Sequence, residues 1–206
     1  RNPGLAESEQ INVWSSSYGV NLGATTSDGY DSSKEFYARG HQIPNADRNG
    51  SDELVVQTYY ATNSTPQIQN KFNGGIWQQL ESGVRNIAAT TDTVYVVTGA
   101  ILQTAGNHEA ITWITPKSDS KRCPVPNYYY KALLKVRRDA SNKVTSAMTI
   151  GFWMEHREYS NDSYTNYATS VAEIERLTGF DFFANRPADI QAAAEQNSNW
   201  NTFASF

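Results

Sequence analysis

The sequence is poor in residue types on which several classes of protein depend. Cysteine occurs once, as Cys123, so neither an intramolecular disulfide nor a cysteine-based zinc site is possible. Histidine occurs only three times. No apolar run is long enough to span a membrane, and no repeat or low-complexity block is present. These absences exclude a disulfide scaffold, a cysteine-ligated zinc domain, a solenoid and a membrane-spanning helix within these 206 residues.

An excess of positive charge is also missing. The formal net charge is −4, whereas nucleic-acid binders are usually basic because phosphate contacts dominate their affinity. The overall charge therefore argues against a nucleic-acid partner without excluding one, since a local cationic cleft is enough to attract a polyanion. The candidates for such a cleft are Arg39, Arg48, Lys71 and Arg85.

The residues that are present predict one folded domain over 1–206, with a loosely structured part at 1–34 that is rich in Ser, Gly and Asn. Apolar residues make up 39% of the chain, which is enough for a buried core. Apolar patterns predict strands at 34–43, 52–60, 93–100, 128–136 and 147–154. Capping and spacing patterns predict helices at 63–87, at 166–178 and after Pro187. The expected fold class is α+β, with a central, mostly antiparallel sheet and flanking helices.

His41 is the histidine whose context is most typical of a catalytic group. It follows Arg39 and Gly40 at the end of a predicted strand, where a glycine lets the backbone approach a ligand closely. An imidazole titrates near neutral pH, so His41 could act as a general base. A lone histidine is nevertheless more often a surface or hydrogen-bonded residue. We expect that structural role for His108 and His156, and a zinc site from all three histidines has no ligand spacing behind it.

Asn73, Trp77, Glu81 and Arg85 are spaced by four positions and would form a stripe along the predicted helix 63–87. An amide oxygen and a carboxylate are hard ligands that suit Mg²⁺, which keeps several waters and takes one or two protein ligands. The alternative is a solvated helix face with a Glu81–Arg85 ion pair. The spacing alone leaves both interpretations open.

The two segments together resemble the signature of the DNA/RNA non-specific endonuclease family. Arg-Gly-His at 39–41 is followed by Asn-x-x-Pro-Gln at 63–67 and then by Asn73, Trp77 and Glu81. Further motifs of the resemblance, within about 35–185, are Val-Val-Thr-Gly at 96–99, Val-Pro before an aromatic-Lys strand at 125–131, and Leu-Thr-Gly and Asp-Phe-Phe at 177–183. The resemblance implies an α+β fold that contains a ββα-metal, or His-Me finger, catalytic motif.

The resemblance also implies a role for each matching residue. His41 corresponds to the general base that activates a water molecule, and Asn73 to the direct protein ligand of the metal. Glu81 corresponds to the carboxylate that holds the waters of the metal. Arg39 and Arg85 correspond to arginines that bind phosphate and stabilise the transition state.

Asn63 and Gln67 correspond to supporting amides of the family signature, and Trp77 to a packing residue. The implied cofactor is Mg²⁺, with Mn²⁺ or Ca²⁺ as alternatives. The implied substrates are DNA and RNA, cut to 5′-phosphate products, because a water nucleophile does not need the ribose 2′-OH. Contacts confined to the sugar-phosphate backbone would give little sequence preference.

The chain departs from the family pattern in two places. The family usually has Asp before Arg-Gly-His, where this chain has Ala38, and this change puts the orientation of Arg39 in question. A phosphate-binding arginine upstream of the motif is also missing, because residues 2–33 contain no Arg or Lys. Neither departure removes the expected base or the expected metal ligand.

Three functional hypotheses are compatible with these residues. The first is an endonuclease, which we expect to be secreted or periplasmic, with an export signal removed because the chain starts at Arg1. The second is a nucleic-acid-binding module whose catalytic site is impaired. The third is a toxin-type nuclease held by an inhibitor protein. Both a monomer and a homodimer are compatible with the family.

Overall fold

A computed structural model of the chain describes residues 37–114, 123–184 and 195–206. The chain divides into two compact units, which are described separately. Unit 1 contains the described residues within 1–78, 110–127 and 156–160, and unit 2 those within 79–109, 128–155 and 161–206. The predicted loose segment 1–34 lies outside the described residues, and the single endonuclease domain stays a prediction.

Unit 1 is built on a short antiparallel ladder. Strand β1 (Tyr37–His41) pairs with strand β2 (Ser64–Ile68), so that the last residue of β1 faces the first residue of β2. A second ladder pairs β4 (Thr112–Ile114) with β5 (Cys123–Val125). The predicted strand at 34–43 is confirmed for the part that is described.

The segment between β1 and β2 is helical, and the predicted strand at 52–60 is wrong. Helix α1 (Asp52–Gln57) lies between two single 3₁₀ turns, Asn45–Asp47 and Ala61–Asn63. Ser51 caps α1, because its hydroxyl accepts a hydrogen bond from the Leu54 backbone N–H at 3.3 Å. The acidic residues of the first turn add a favourable interaction with the helix dipole. These local terms outweigh the β-propensity of the two valines.

The predicted helix at 63–87 is wrong in its first half. Pro66, interpreted as a helix-start signal, lies opposite Arg39 in the two-stranded ladder, where a missing N–H is tolerated at an open edge. Gln69–Trp77 then forms helix-like turns with non-helical dihedral angles at four positions, among them Gly74 and Gly75. A regular helix, α2 (Gln78–Ala88), begins only after them.

Unit 2 contains a four-stranded antiparallel sheet with the strand order β3–β6–β7–β8. Its strands are β3 (Thr93–Ile101), β6 (Tyr128–Arg138), β7 (Val144–Glu155) and β8 (Ala168–Thr169). The long central strands β6 and β7 carry most of the buried residues of the sheet. The three strands predicted at 93–100, 128–136 and 147–154 are confirmed.

Helix α3 (Val171–Thr178) packs on β6 and β7 and closes the core of unit 2. Ser170 caps its start and Gly179, at φ 75°, ends it in the left-handed conformation. The core combines residues of the sheet and the helix: Tyr130, Ala132, Val171, Ile174 and Phe182. The helix predicted at 166–178 therefore starts later than expected, because Ala168–Thr169 pair with β7.

A last helix, α4 (Trp200–Ser205), occupies part of the predicted C-terminal helical region, and 187–194 lie outside the described residues. Lys135, which is buried in β6, donates to the Phe203 and Ala204 carbonyls at 3.4 and 3.2 Å. No helix among the described residues is long and apolar enough to cross a membrane. The predicted α+β class with antiparallel pairing is confirmed.

Candidate active site

The side chains of Arg39 and His41 lie on the same face of β1, because residues two apart in a strand point the same way. Both contact the ring of Tyr59. The Arg39 guanidinium carbon lies 5.6 Å from the ring centroid, and the His41 ring meets it edge-on at 6.2 Å. Asn45 donates from Nδ2 to the Tyr59 hydroxyl at 2.6 Å. Tyr59 thus brings the two predicted catalytic side chains together, although no motif in the sequence singles it out.

One ring nitrogen of His41 is in a hydrogen bond, and the other has no partner in the part of the chain that the structure describes. It donates a hydrogen bond to the backbone carbonyl of Arg39. Nε2 is enclosed and has no hydrogen-bond partner among the described residues. Burial, and then the charge of Arg39, lower the pKa of His41 to about 4, and the backbone hydrogen bond opposes them. The imidazole is therefore neutral at pH 7, and no group of the described segments takes up the Nε2 lone pair.

Asn63 fixes the chain just after His41. Its Oδ1 accepts from the Ile43 N–H at 2.9 Å, and its Nδ2 donates to the Ile43 and Thr58 carbonyls at 3.0 and 2.9 Å. Its own carbonyl accepts from the Gln42 N–H at 2.8 Å. All polar atoms of this side chain serve the loop, which fits the supporting role that the resemblance implies.

Asn73 lies in the irregular segment Gln69–Trp77, which packs against both β1 and β2. Its Nδ2 donates to Gln69 Oε1 at 2.9 Å, and this bond orients the amide. The bond passes over Gly74, where a Cβ atom would lie 2.8 Å from Gln69 Nε2. Phe72 and Trp77, which flank Asn73 in the sequence, are buried, and their rings stack with centroids 5.8 Å apart. The carbonyl oxygen Oδ1 is thereby left as the potential ligand atom.

This donor set fits a hydrated divalent cation. Oδ1 of Asn73 is a hard oxygen ligand, and Mg²⁺ accepts one or two such ligands while it keeps several waters. Within the described residues, no group of three or more His, Cys, Asp or Glu side chains could hold a metal. Both ring nitrogens of His156 are in hydrogen bonds with the backbone, so a three-histidine zinc site does not form in this part of the chain.

Glu81 and Arg85 lie one turn apart on α2, in unit 2. Arg85 donates from Nη2 to Ser82 Oγ at 3.1 Å. The single helical stripe predicted from Asn73 to Arg85 is wrong, because the two glycines after Asn73 interrupt the helix. The five other predicted residues, namely Arg39, His41, Asn63, Gln67 and Asn73, all belong to unit 1. Their catalytic and supporting roles stay predictions.

Lys71, a member of the predicted cationic cleft, takes part in an ion pair. Lys71 Nζ forms an ion pair with Glu158 at 3.3 Å, and both side chains are about half exposed. Arg39 lies over Tyr59 and Arg85 bonds to Ser82.

The sequence profile of the DNA/RNA non-specific endonucleases matches residues 6–189. The chain belongs to this family. A solved structure of the EndoG/EndoGI complex shares the fold, with a TM-score of 0.63 and 23% identity over 75% of this chain and 62% of that chain.

Three curated relatives show the range of similar proteins. Nuclease 1, mitochondrial, of Schizosaccharomyces pombe is 25% identical over 73% of this chain and 47% of its own length. Nuclease C1 of Cunninghamella echinulata is 28% identical over 74% and 59%. Human Nuclease EXOG, mitochondrial, is 27% identical over 75% and 42%. The chain thus spans about half the length of the curated relatives it matches.

The names of these relatives correct one expectation. Nucleases of Schizosaccharomyces pombe, Saccharomyces cerevisiae, zebrafish and human that resemble this chain are named as mitochondrial. The prediction of a secreted or periplasmic protein is therefore wrong. It depended on the start of the chain at Arg1, which carries no information about compartment.

Ala38, which stands where the non-specific endonuclease family usually has Asp, lies in β1 beside a buried amide. Ala38 is the cross-strand partner of Gln67. Gln67 is completely buried, and neither Nε2 nor Oε1 of its amide has a hydrogen-bond partner among the described residues. Its side chain lies across Gly40, where a Cβ atom would be 2.6 Å from Gln67 Cβ. An Asp at position 38 would stand beside this buried amide, and an alanine leaves it without a partner there.

Proposed function

We propose that this chain is a metal-dependent endonuclease that hydrolyses the phosphodiester bonds of DNA and RNA. The observation that carries the proposal is the state of His41. A general base must be neutral at working pH and must present a lone pair to the proton that it takes. His41 meets both conditions, because burial keeps it neutral and its Nε2 has no partner among the described residues.

In the proposed reaction His41 takes a proton from a water molecule at Nε2 as the water oxygen attacks phosphorus. The new P–O bond forms while the bond to the 3′ oxygen breaks, and the 3′ oxygen leaves with a proton from solvent. The product carries a 5′-phosphate. Because Nε2 is enclosed in this structure, side chains around it must give way for the water to enter. A bound phosphate would also raise the pKa of His41, since its negative charge opposes the effect of Arg39.

Arg39 would bind the phosphate that is attacked. Its guanidinium lies on the same strand face as His41 and is held over the Tyr59 ring. A cation placed there neutralises charge that develops on the phosphate oxygens during attack. We extend the role of phosphate binding to Arg85 and that of holding metal waters to Glu81 from the resemblance alone.

Asn73 would hold the metal through Oδ1, with Mg²⁺ as the expected ion and Mn²⁺ or Ca²⁺ as alternatives. When bound, such an ion supplies Lewis-acid neutralisation of the phosphate and the leaving oxygen. The chain's own part is to orient the amide through Gln69. The solved EndoG structure contains an inhibitor, EndoGI, and a protein inhibitor is therefore the partner that we propose besides nucleic acid.

The proposal is tested by incubating supercoiled plasmid and a structured RNA with the protein in Mg²⁺ and in excess EDTA. Both substrates should be degraded in Mg²⁺ and neither in EDTA. His41→Ala should lower the cleavage rate by at least about 100-fold, which is the usual contribution of a general base. His108→Ala is the matched control, because His108 is an exposed histidine in unit 2. Cleavage by His41→Ala at the rate of the control would overturn the assignment of the base.

A binding module with a disabled site is the second candidate, and the observation in its favour is the amide of Gln67 beside Ala38, which has no hydrogen-bond partner among the residues that the structure describes. This candidate predicts no cleavage with Mg²⁺, Mn²⁺ or Ca²⁺. It predicts instead that binding to DNA weakens steeply with salt, because phosphate contacts release counterions. Salt-sensitive binding in gel-shift titrations at two salt concentrations, together with the absence of cleavage in the plasmid assay, would separate it from the endonuclease.

A further inference from the structure

The segment His156–Tyr159 is not part of the endonuclease signature, yet it contacts the turn that leads to Asn73. His156 makes two short hydrogen bonds through its ring. Its Nε2 accepts from the Ile68 backbone N–H at 2.7 Å, and its Nδ1 donates to the Pro126 carbonyl at 2.7 Å. A carbonyl can only accept, so the ring is the neutral tautomer with the proton on Nδ1. Burial lowers the pKa of His156 to about 4, which keeps this tautomer at neutral pH.

The same ring packs on both elements that carry the candidate site. The Phe72 ring meets it edge-on at 5.1 Å, and the Tyr37 ring lies 6.2 Å away. Tyr37 begins the strand that ends in His41, and Phe72 immediately precedes Asn73. His156 is therefore in contact with the strand of the candidate base and with the segment of the candidate metal ligand.

Two neighbours of His156 contact the same turn. Glu158 forms the ion pair with Lys71, and the buried Tyr159 ring lies 6.0 Å from Phe72. Lys71 has φ 59°, in the left-handed region that a lysine rarely adopts. Such a conformation is strained and persists only when surrounding contacts over-determine it. The turn 68–72 is thus held from outside by the 156–159 segment rather than by its own helix propensity.

We propose that His156 is a positioning residue of the metal site, which presents Asn73 by fixing the Ile68 N–H and the Phe72 ring. The proposal rests on the proposed function, since it takes Asn73 as the metal ligand. A group that orients a ligand without touching the metal commonly changes metal affinity by about 10–100-fold. The variants of His156 should therefore change metal affinity more than the rate at saturating metal.

A pair of amide variants separates the two hydrogen bonds of His156. The amide of glutamine reaches the place of Nε2, so His156→Gln can still accept from Ile68. The amide of asparagine reaches only the place of Nδ1, so His156→Asn can keep the Pro126 bond but loses the bond to Ile68. A role in general packing would make both variants similar, whereas positioning through Ile68 distinguishes them.

The first measurement is Mn²⁺ binding by electron paramagnetic resonance, with the metal alone and without nucleic acid. We expect His156→Asn to weaken Mn²⁺ binding by about tenfold and His156→Gln to change it less than about threefold. In metal-free protein, amide hydrogen exchange at Ile68 should accelerate in the asparagine variant only. His108→Asn is the control for a histidine-to-asparagine change at an exposed position.

The second measurement is the dependence of cleavage on Mg²⁺. The half-saturating concentration should rise in His156→Asn while the rate at saturating Mg²⁺ stays within about threefold of the wild type. Equal Mn²⁺ affinity in the two amide variants, with equal losses of thermal stability, would overturn the positioning role and leave packing. Failure of the nuclease activity alone would be recognised separately, because Mn²⁺ binding and Ile68 exchange do not depend on cleavage.

Discussion

At the scale of single residues, His41 and His156 show that a histidine side chain can be either a candidate base or a structural hydrogen-bonding group. Burial lowers the pKa of each to about 4, so both are neutral at pH 7. They differ in the use of Nε2, which accepts from the Ile68 N–H in His156 and has no partner among the described residues in His41. His156 therefore has a structural role, whereas His41 can take a proton.

Arg39 should control the pH dependence of the proposed reaction. Its charge helps to lower the pKa of His41, so Arg39→Gln should raise that pKa from about 4 towards the ordinary value. Because the base works only when neutral, the acid limb of kcat/KM should move to higher pH in the variant. The rate should also fall at all pH values, owing to the loss of a phosphate contact. The measurement is kcat/KM for plasmid cleavage between pH 4 and 8.

Arg48→Gln is the matched control for the acid limb alone, because Arg48 is a half-buried arginine of the same unit and, although a candidate of the cationic cleft, is not among the groups that shift the pKa of His41. An acid limb that stays in place in Arg39→Gln would mean that the arginine does not act on the base.

The residue types of the site could be predicted from the sequence, but their partners could not. Arg39, His41 and Asn73 could be selected from the sequence because their spacing matches the family signature. The contacts of Tyr59 and His156 with the candidate site could not be predicted, since aromatic contacts and a hydrogen bond across 88 positions leave no local pattern. The same holds for Gln67, whose setting depends on which residue stands opposite it in the ladder.

At the scale of elements, long strands were easier to predict than short ones. Strands β6 and β7 have 11 and 12 residues with continuous buried runs, and tertiary packing and sequence pattern agree there. Strand β2 has five residues and contains Pro66, so its sequence looks like a helix start. Helix α1 has six residues, and its cap decides its conformation more than its valines do.

Gly40→Ala tests how closely β1 and β2 must approach. The added Cβ would lie 2.6 Å from Gln67 Cβ and 2.9 Å from the Thr65 carbonyl oxygen, which is backbone and cannot rotate away. We expect a loss of about 1–3 kcal/mol in the free energy of unfolding, as for other overpacked cores, together with reduced cleavage. Urea unfolding and the plasmid assay measure the two effects.

The control for this change is Gly50→Ala, where the nearest atom to the new Cβ would be Leu54 Cδ1 at 3.7 Å. That distance is an ordinary contact, so stability should change little. Equal stability of the two alanine variants would show that the strands can move apart at Gly40 without cost.

At the scale of the whole molecule, the two half-buried histidines, His41 and His156, should make the fold sensitive to acid. Their pKa values are about 4 in the folded protein and near 6.5 in an unfolded chain, so the unfolded state binds protons first as pH falls. Their stabilising contribution is complete above pH 6.5 and is lost as pH falls towards 4. By pH 5 we expect a loss of about 2 kcal/mol per histidine.

Urea unfolding at pH 7 and pH 5 measures this loss, and His156→Gln should reduce the difference between the two pH values because it removes one of the titrating groups. His108→Gln, at an exposed position, should leave the difference as in the wild type. A free energy of unfolding that is equal at both pH values would contradict the expected coupling.

The supports of the candidate site are widely separated along the chain. His41 and Asn73 lie within the first 78 residues, but the histidine that bonds to Ile68 is 88 positions further on. Contacts between distant positions form only after a large loop has closed. During synthesis, such contacts therefore form late. Synthesis therefore has to pass position 156 before the turn that carries Asn73 can be held in place, so that translation itself delays completion of the proposed active site while messenger RNA is still close by.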